Sequence, residues 1–224
     1  MKKTANPKST VLTKTENPQL TYMLPSPKIE GNVSVEEALS ARRSHRHFQN
    51  KALPAEQLSQ ILWAAYGITM PIPDHPLTRG GLRTTPSAGA TYPLEMYVVV
   101  GNIPGIEAGV YKYLSREHTI IRTINKDIRK ELSAAALGQR MVRDAPATVV
   151  YSAVFGRTAE RYGERGRDRY VFIELGHSAQ NVYLQAEALN LATCAIGAFT
   201  DSRVSGLLQL PAEEEPLYLI LKVG

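Results

Sequence analysis

Arg42-Arg43-Ser44-His45-Arg46-His47-Phe48 gathers three arginines and a serine into five consecutive positions. Guanidinium groups are planar, permanently charged and two-pronged, so they match phosphate oxygens, and a serine hydroxyl adds a compact donor beside them. The chemistry this suits is capture of an anion, and a phosphorylated cofactor would fit. The same cations could instead complement a helix dipole, because an amphipathic helix runs out where they begin. That helix is announced by Ser34-Val35-Glu36-Glu37, a capping box in which Ser34 and Glu37 satisfy orphan amides, with Val35, Ala38 and Leu39 on one face. A second patch runs Arg83-Thr84-Thr85-Pro86-Ser87-Ala88-Gly89-Ala90-Thr91-Tyr92-Pro93 and leads into the apolar run Leu94 to Val100. Pro86, Gly89 and Pro93 fix unusual backbone around side chains too small to block a flat ligand, while amides and Ser87 can hydrogen-bond its edge. A plain turn before an edge strand is the alternative.

Two further segments extend the pattern. Glu174-Leu175-Gly176-His177-Ser178-Ala179-Gln180-Asn181 continues through Leu184 to Leu189, and Thr193-Cys194-Ala195-Ile196-Gly197-Ala198-Phe199 follows. In this order and spacing the segments resemble the FMN-dependent nitroreductase-like superfamily, from about residue 30 to the C-terminus. Arg83 before Pro-Ser-Ala-Gly, Tyr92-Pro93-Leu94-Glu95 and Gly-His-x-x-Gln-Asn are similar to its SagB-type dehydrogenase subgroup. The resemblance implies a nitroreductase-like α+β fold: a central, mainly antiparallel sheet flanked by helices, with a long buried helix at the interface of a homodimer that holds two FMN.

It also implies roles. Arg42 and Ser44 match the positions holding the FMN phosphate and ribityl chain, Arg43 adds contacts, and Arg46 matches the cation near flavin N1 and O2. A fixed charge there favours the reduced ring. Ser87 and Gly89, with Pro86, Ala88 and Ala90, match the loop beside the pyrimidine ring, contributed across the dimer. Gly197 and Ala198, after Ile196, match backbone at the N5 edge. Three departures stand out. Ala90 replaces an Asn common in nitroreductases. Members often carry basic residues beyond the last strand that reach the phosphate, and here Arg83 or Lys222 is expected to substitute. Arg161-Tyr162 stands where azoline-oxidising members carry Lys-Tyr, and guanidinium is a poor proton shuttle. The leading expectation is hydride transfer from NAD(P)H to a nitroaromatic or quinone-like acceptor. Oxidation of a peptide-derived azoline, with Tyr162 and Arg161 as the catalytic pair, is one alternative, and a non-catalytic flavin-binding redox sensor is another.

Composition bounds the remaining classes. A chain of 224 residues, 43% hydrophobic, can bury a core as one domain, here residues 30–224, behind a polar arm at 1–29. Cys194 is the lone cysteine, so no internal disulfide forms, and a reducing cytoplasm is the natural setting. No apolar run approaches the roughly 20 residues of a membrane span, and the N-terminus lacks a signal-peptide core. The net charge of +5 is spread along the chain, and its densest cluster already has a phosphate to explain it, so nucleic acid is not expected. No carboxylate accompanies His45 and His47 at metal spacing, and no dinucleotide-binding glycine motif appears. His177 reads as a satisfied core or interface histidine, His75 and Asp74 as a solvated loop pair, and Glu213 to Glu215 as a solvated turn.

Elements must position these groups. Pro54 to Tyr66 reads as a helix stopped by Gly67, and 68–82, with three prolines and two glycines, as a long lid-like loop. Strands are expected at 95–100, 109–113, 119–124, 147–155 and 217–223, with helices at 125–136 and 201–210. In the long helix, about Asp168 to Asn190, Phe172, Leu175, Ala179, Val182, Ala186 and Leu189 form a seam, while Ile173, Tyr183, Leu184 and Leu191 make the other side apolar. Such a helix must be buried all round, one face on its own sheet and the other on a second subunit.

Overall fold

The computed structural model describes residues 20–48, 51–72 and 78–223, without the side chains of 219–223. His75, Asp74, the Lys222 side chain and most of the expected arm lie outside the described residues. Helix α1 (Val35–Ala41) begins as its capping box requires: Ser34 Oγ accepts from the Glu37 amide at 3.1 Å, and Glu37 accepts from the Ser34 amide at 2.9 Å. Helix α2 (Ala55–Tyr66) buries Leu58, Ile61, Leu62 and Ala65. It stops at Gly67, whose φ of −69° is ordinary; glycine is needed because a Cβ would run into the Trp63 side chain.

The main sheet has seven strands in the order β1-β6-β5-β4-β7-β9-β8, every neighbouring pair antiparallel. They are β1 (Thr21–Met23), β4 (Leu94–Val100), β5 (Gly109–Leu114), β6 (Thr119–Ile124), β7 (Ala147–Val154), β8 (Ala192–Ile196) and β9 (Glu214–Val223). Side chains alternate between two cores. Leu94, Met96, Val98, Tyr111, Val149 and Tyr151 face α2 and the long helix α6 (Val171–Ala188). Tyr97, Val99, Val110 and Val150 face α3 (Arg129–Ala135), α4 (Arg140–Asp144) and α7 (Asp201–Leu208). The architecture is thus the expected α+β sheet flanked by helices.

Several expectations are corrected. The stretch 68–82 is not a structureless loop: β2 (Ile68–Ile72) and β3 (Gly80–Arg83) make a separate antiparallel ribbon. Both strands of such a ribbon are edges, so the missing N–H of Pro71 can face outward. Within the stretch read as an arm, β1 pairs with β6, and Leu20, Tyr22 and Leu24 join the core. β9 starts before Pro216, which sits beside a register shift between Tyr151 and Ser152. Glu214 is not in a solvated turn: it is buried, accepting from Tyr97 and Ser152 and pairing with Lys112. The helix expected at 125–136 is α3, which starts later, at Arg129, and α4 at Arg140–Asp144 is a further short helix the sequence did not announce.

The long helix differs most. A helix α5 (Gly156–Tyr162) and a π turn (Gly166–Tyr170) precede α6. Within the chain α6 buries one side, including Leu175, Ser178, Ala179, Val182 and Ala186. Phe172 and Ile173 remain about half exposed, and His177 and Gln180 lie on the same open side. The seam through Ala179 therefore packs on the chain's own sheet, where Ser178 bonds Tyr151 and the Ala65 carbonyl.

Candidate functional site

The arginine segment leaves α1 and is strapped to the edge strand β8. The His45 amide donates to the Thr193 carbonyl at 2.9 Å, which holds the segment along an edge that would otherwise be unpaired. Tyr183, projecting from α6, fixes the rest. Its hydroxyl accepts from the Ala195 amide at 2.9 Å and meets Ser44 Oγ at 3.0 Å, and the Arg42 guanidinium lies over its ring, 5.2 Å from the centroid. Arg42 and Arg46 form no ion pair with an acid among the described residues. Arg43 does the blander job: its guanidinium folds back on the Ser40 and Arg42 carbonyls at the end of α1. Beside this patch β8 ends in buried Ile196, followed by exposed Gly197 and Ala198. Cys194 is buried there, and burial raises its thiol pKa despite the pull of Arg46.

The second patch is a tight loop. Gly89 and Ala90 have φ of +60° and +55°, a left-handed conformation that an alanine adopts only at a cost. Pro86 is exposed, and Ser87, Ala88, Gly89 and Ala90 are half-buried. Helix α5 backs the loop. Arg161 donates to the Gly89 carbonyl at 3.2 Å, and the Tyr162 hydroxyl lies so close that a Cβ on Gly89 would stand 2.5 Å from it. The structure therefore brings Tyr162 and Arg161 onto the small-residue loop. Arg83 goes elsewhere. Its guanidinium stacks on Tyr66 and Tyr92, 4.2 and 4.8 Å from the ring centroids, and bonds Ser115, far from the Arg42 group in chain and in role.

Both patches hang on α6. Ser87 and Tyr66 address Glu174 in its first turn, and Ser44 addresses Tyr183 farther along, which separates the two groups by about 13 Å at 1.5 Å per residue. Tyr183 and Tyr66 contact the two patches through hydroxyls that the apolar periodicity hid, since it counts a tyrosine as apolar, and Glu174 meets Tyr66 from the buried face of α6. Among the described residues no cluster of acids, histidines and cysteine could hold a metal, and no helix is long and apolar enough to cross a membrane.

The fold is a mixed α and β one, an antiparallel sheet flanked by helices, with an arginine patch on its β8 edge and a small-residue loop at the other end of α6. The chain belongs to the nitroreductase family, whose family model matches residues 39–224. A Methanocaldococcus jannaschii protein that bears the name nitroreductase is 43% identical over 198 residues, 88% of this chain and 93% of its own. The trifolitoxin-processing protein of Rhizobium leguminosarum bv. trifolii is 34% identical over 133 residues, 57% of this chain and 35% of its own. Among solved structures, one of a Ralstonia eutropha protein also named as a nitroreductase superposes with a TM-score of 0.76 at 26% identity, covering 96% of this chain and 95% of that one. Membership implies a flavin cofactor.

Proposed function

We propose that the protein is an FMN-dependent reductase that works as a homodimer, taking a hydride from NAD(P)H and passing it to a small nitroaromatic or quinone-like acceptor. The observation that carries this is the pair of guanidinium groups, Arg42 and Arg46, which have no acidic partner among the described residues and stand beside a serine held in place by Tyr183. That donor set fits a phosphate dianion. Bound here, the flavin supplies a ring that accepts and returns a hydride. Arg42 and Ser44 would anchor the phosphate end and Arg46 would place positive charge toward the ring. Gly197 and Ala198 would offer backbone at its reacting edge, and residues 86–90 would close over the other end. The dimer is supported by the open side of α6, where Phe172 and Ile173 are about half exposed, and by exposed Met70 and Leu82 on the β2–β3 ribbon. Stopped-flow mixing of the FMN-loaded protein with NADPH and NADH tests the reading: bleaching of the flavin is expected with at least one, and no bleaching with either would overturn it.

A second reading is favoured by one contact. Arg161 and Tyr162 lie directly on the Gly89 loop, where an acid–base pair serving a substrate over the ring would have to be. The likeness to a toxin-processing protein points the same way, toward a SagB-type dehydrogenase acting on a peptide-derived azoline. Under that reading Tyr162→Phe cuts turnover of such a heterocycle by about 10²- to 10⁴-fold with FMN still bound. Under the first, flavin reduction by the nicotinamide is unchanged by the same substitution.

A further inference from the structure

Glu174 is a buried carboxylate with no salt bridge among the described residues. It is 2% exposed in the first turn of α6, and among the described residues no cation pairs with it directly. Tyr66 of α2 donates to its Oε1, and the Ser87 hydroxyl lies against it. Two more groups face it: Tyr92, and Arg83, whose charge reaches it although its guanidinium is stacked between Tyr66 and Tyr92. Burial raises the Glu174 pKa from an ordinary 4.5 to about 7, although Ser87, Tyr66 and Arg83 each pull it down. Tyr66 cannot take over as the titrating group, because burial and the Glu174 charge push its phenol well above the usual range.

The Ser87 hydroxyl links this carboxyl to the loop. Ser87 Oγ accepts from the Tyr92 amide at 2.9 Å, and its own proton is free to turn. Against an ionised Glu174 that proton points inward, and the oxygen shows a lone pair to the open side of the loop. Against a protonated Glu174 the carboxyl donates to Ser87, and the serine proton turns outward. The charge on one buried side chain thus decides whether the loop offers an acceptor or a donor.

We infer that Glu174 takes up a proton when the bound flavin is reduced, and acts on the ring as a positioning residue through Ser87. The inference rests on the functional reading above, in which residues 86–90 flank the ring. Bound beside this loop, the flavin would supply a ring that gains two electrons, one proton and one negative charge for each hydride the nicotinamide donor gives up. A second proton, from solvent, settles on the Glu174 carboxylate, and Ser87 turns to donate toward that charge. Once the ring is oxidised again, Glu174 would return its proton to solvent.

The test is the midpoint potential of FMN on the full chain, measured by dye-equilibrated reductive titration from about pH 5.5 to about pH 8.5 in wild type and Glu174→Gln. An extra proton per two electrons steepens the wild-type slope by about 30 mV per pH unit near neutrality, the value of a tenfold change for a two-electron couple. Glu174→Gln is expected to lack that increment, and Ser87→Ala, which keeps the carboxyl, to retain it while lowering the potential. Equal slopes in wild type and Glu174→Gln overturn the inference. If Glu174→Gln does not fold, carbon-13 spectra of the wild-type glutamate carboxyls in oxidised and reduced protein decide. One carboxyl titrating near neutrality is expected to shift upward on reduction, and no such shift overturns the proposal. A chain that takes up no FMN overturns the functional reading and this inference with it, whereas bound FMN with equal slopes overturns this inference alone.

Discussion

Tyr183→Phe removes one oxygen atom and tests whether the anion patch is held as described. The phenol oxygen accepts from the Ala195 amide and meets Ser44 Oγ, while the ring carries Arg42. Phenylalanine keeps the ring, and with it a cation–π contact worth about 0.5–1 kcal/mol at a partly exposed site. It orphans a half-buried amide, which costs about 1–3 kcal/mol, and frees Ser44 to turn away. We expect a loss of about 2 kcal/mol, which in a chain of this size lowers Tm by roughly 4–8 °C. FMN affinity should fall by about tenfold, because the serine contact is lost while the guanidinium stays; tenfold corresponds to about 1.4 kcal/mol. Arg42→Ala should act in the opposite proportion. It spares the fold and weakens FMN by at least tenfold, since a charge-assisted contact is worth about 1.5–3 kcal/mol. Quenching of flavin fluorescence on titrating apo-protein gives the affinities, and a thermal melt without FMN gives the stability. A Tyr183→Phe protein with wild-type Tm and wild-type affinity would refute the bridge.

Three further outcomes follow from particular contacts. Ile173→Arg places a charge on the open side of α6, where Ile173 is 49% exposed, so the single chain should fold while light scattering reports monomer and FMN is lost; a dimer with full FMN would count against the interface. Ala179 is the wrong probe for that question, because it is packed inside its own chain. Ala90→Asn should raise stability by about 0.5–1 kcal/mol, since Asn tolerates the left-handed φ of +55° better than alanine, and a lower urea midpoint would contradict it. His118 is held below its ordinary 6.5 by burial, against the pull of the Pro25 carbonyl, and its ring also meets Ser59 and Tyr113. The unfolded chain therefore takes up the histidine proton first, and the stability contributed by the neutral ring is full above pH 6.5 and drains as pH falls through the folded value. Melts from about pH 7.5 down to about pH 5 should show this slope in wild type and less of it in His118→Asn; parallel curves would contradict it.

The sequence carried the local signals well. Ser34 and Glu37 cap α1 as their spacing requires, and the alternation in Leu94–Val100 divides between the two cores. What it could not carry was tertiary. Pro71, Gly80 and Gly81 look like breakers, yet they sit in a ribbon of two edges, where a missing donor costs little. Residues 156–170 are polar on every side, so α5 and the π turn leave no apolar stripe to read. The open side of α6 reads as buried because periodicity marks what is apolar and not what covers it. Arg83 reads as a ligand cation, and only the folded chain reveals the two tyrosines that enclose it. Glu174 and Tyr183 were visible as letters of a long helix, but their partners lie about a hundred residues away.

β8 has β9 as its sheet partner, and together they are the last strands in chain order. The segment that carries Ser44 is tied by backbone to β8, although it lies about 150 residues earlier in the sequence. During synthesis the anion patch therefore has nothing to lie against until the chain has been made through β9. Strands β4 to β6, joined by short connections, can pair much earlier and give a partial sheet that looks folded by most probes. FMN capture should be the final event, and a nick or truncation before residue 214 should leave much of the helix and hairpin content while abolishing the coloured product. The cofactor would then report completion of the chain more sharply than circular dichroism does.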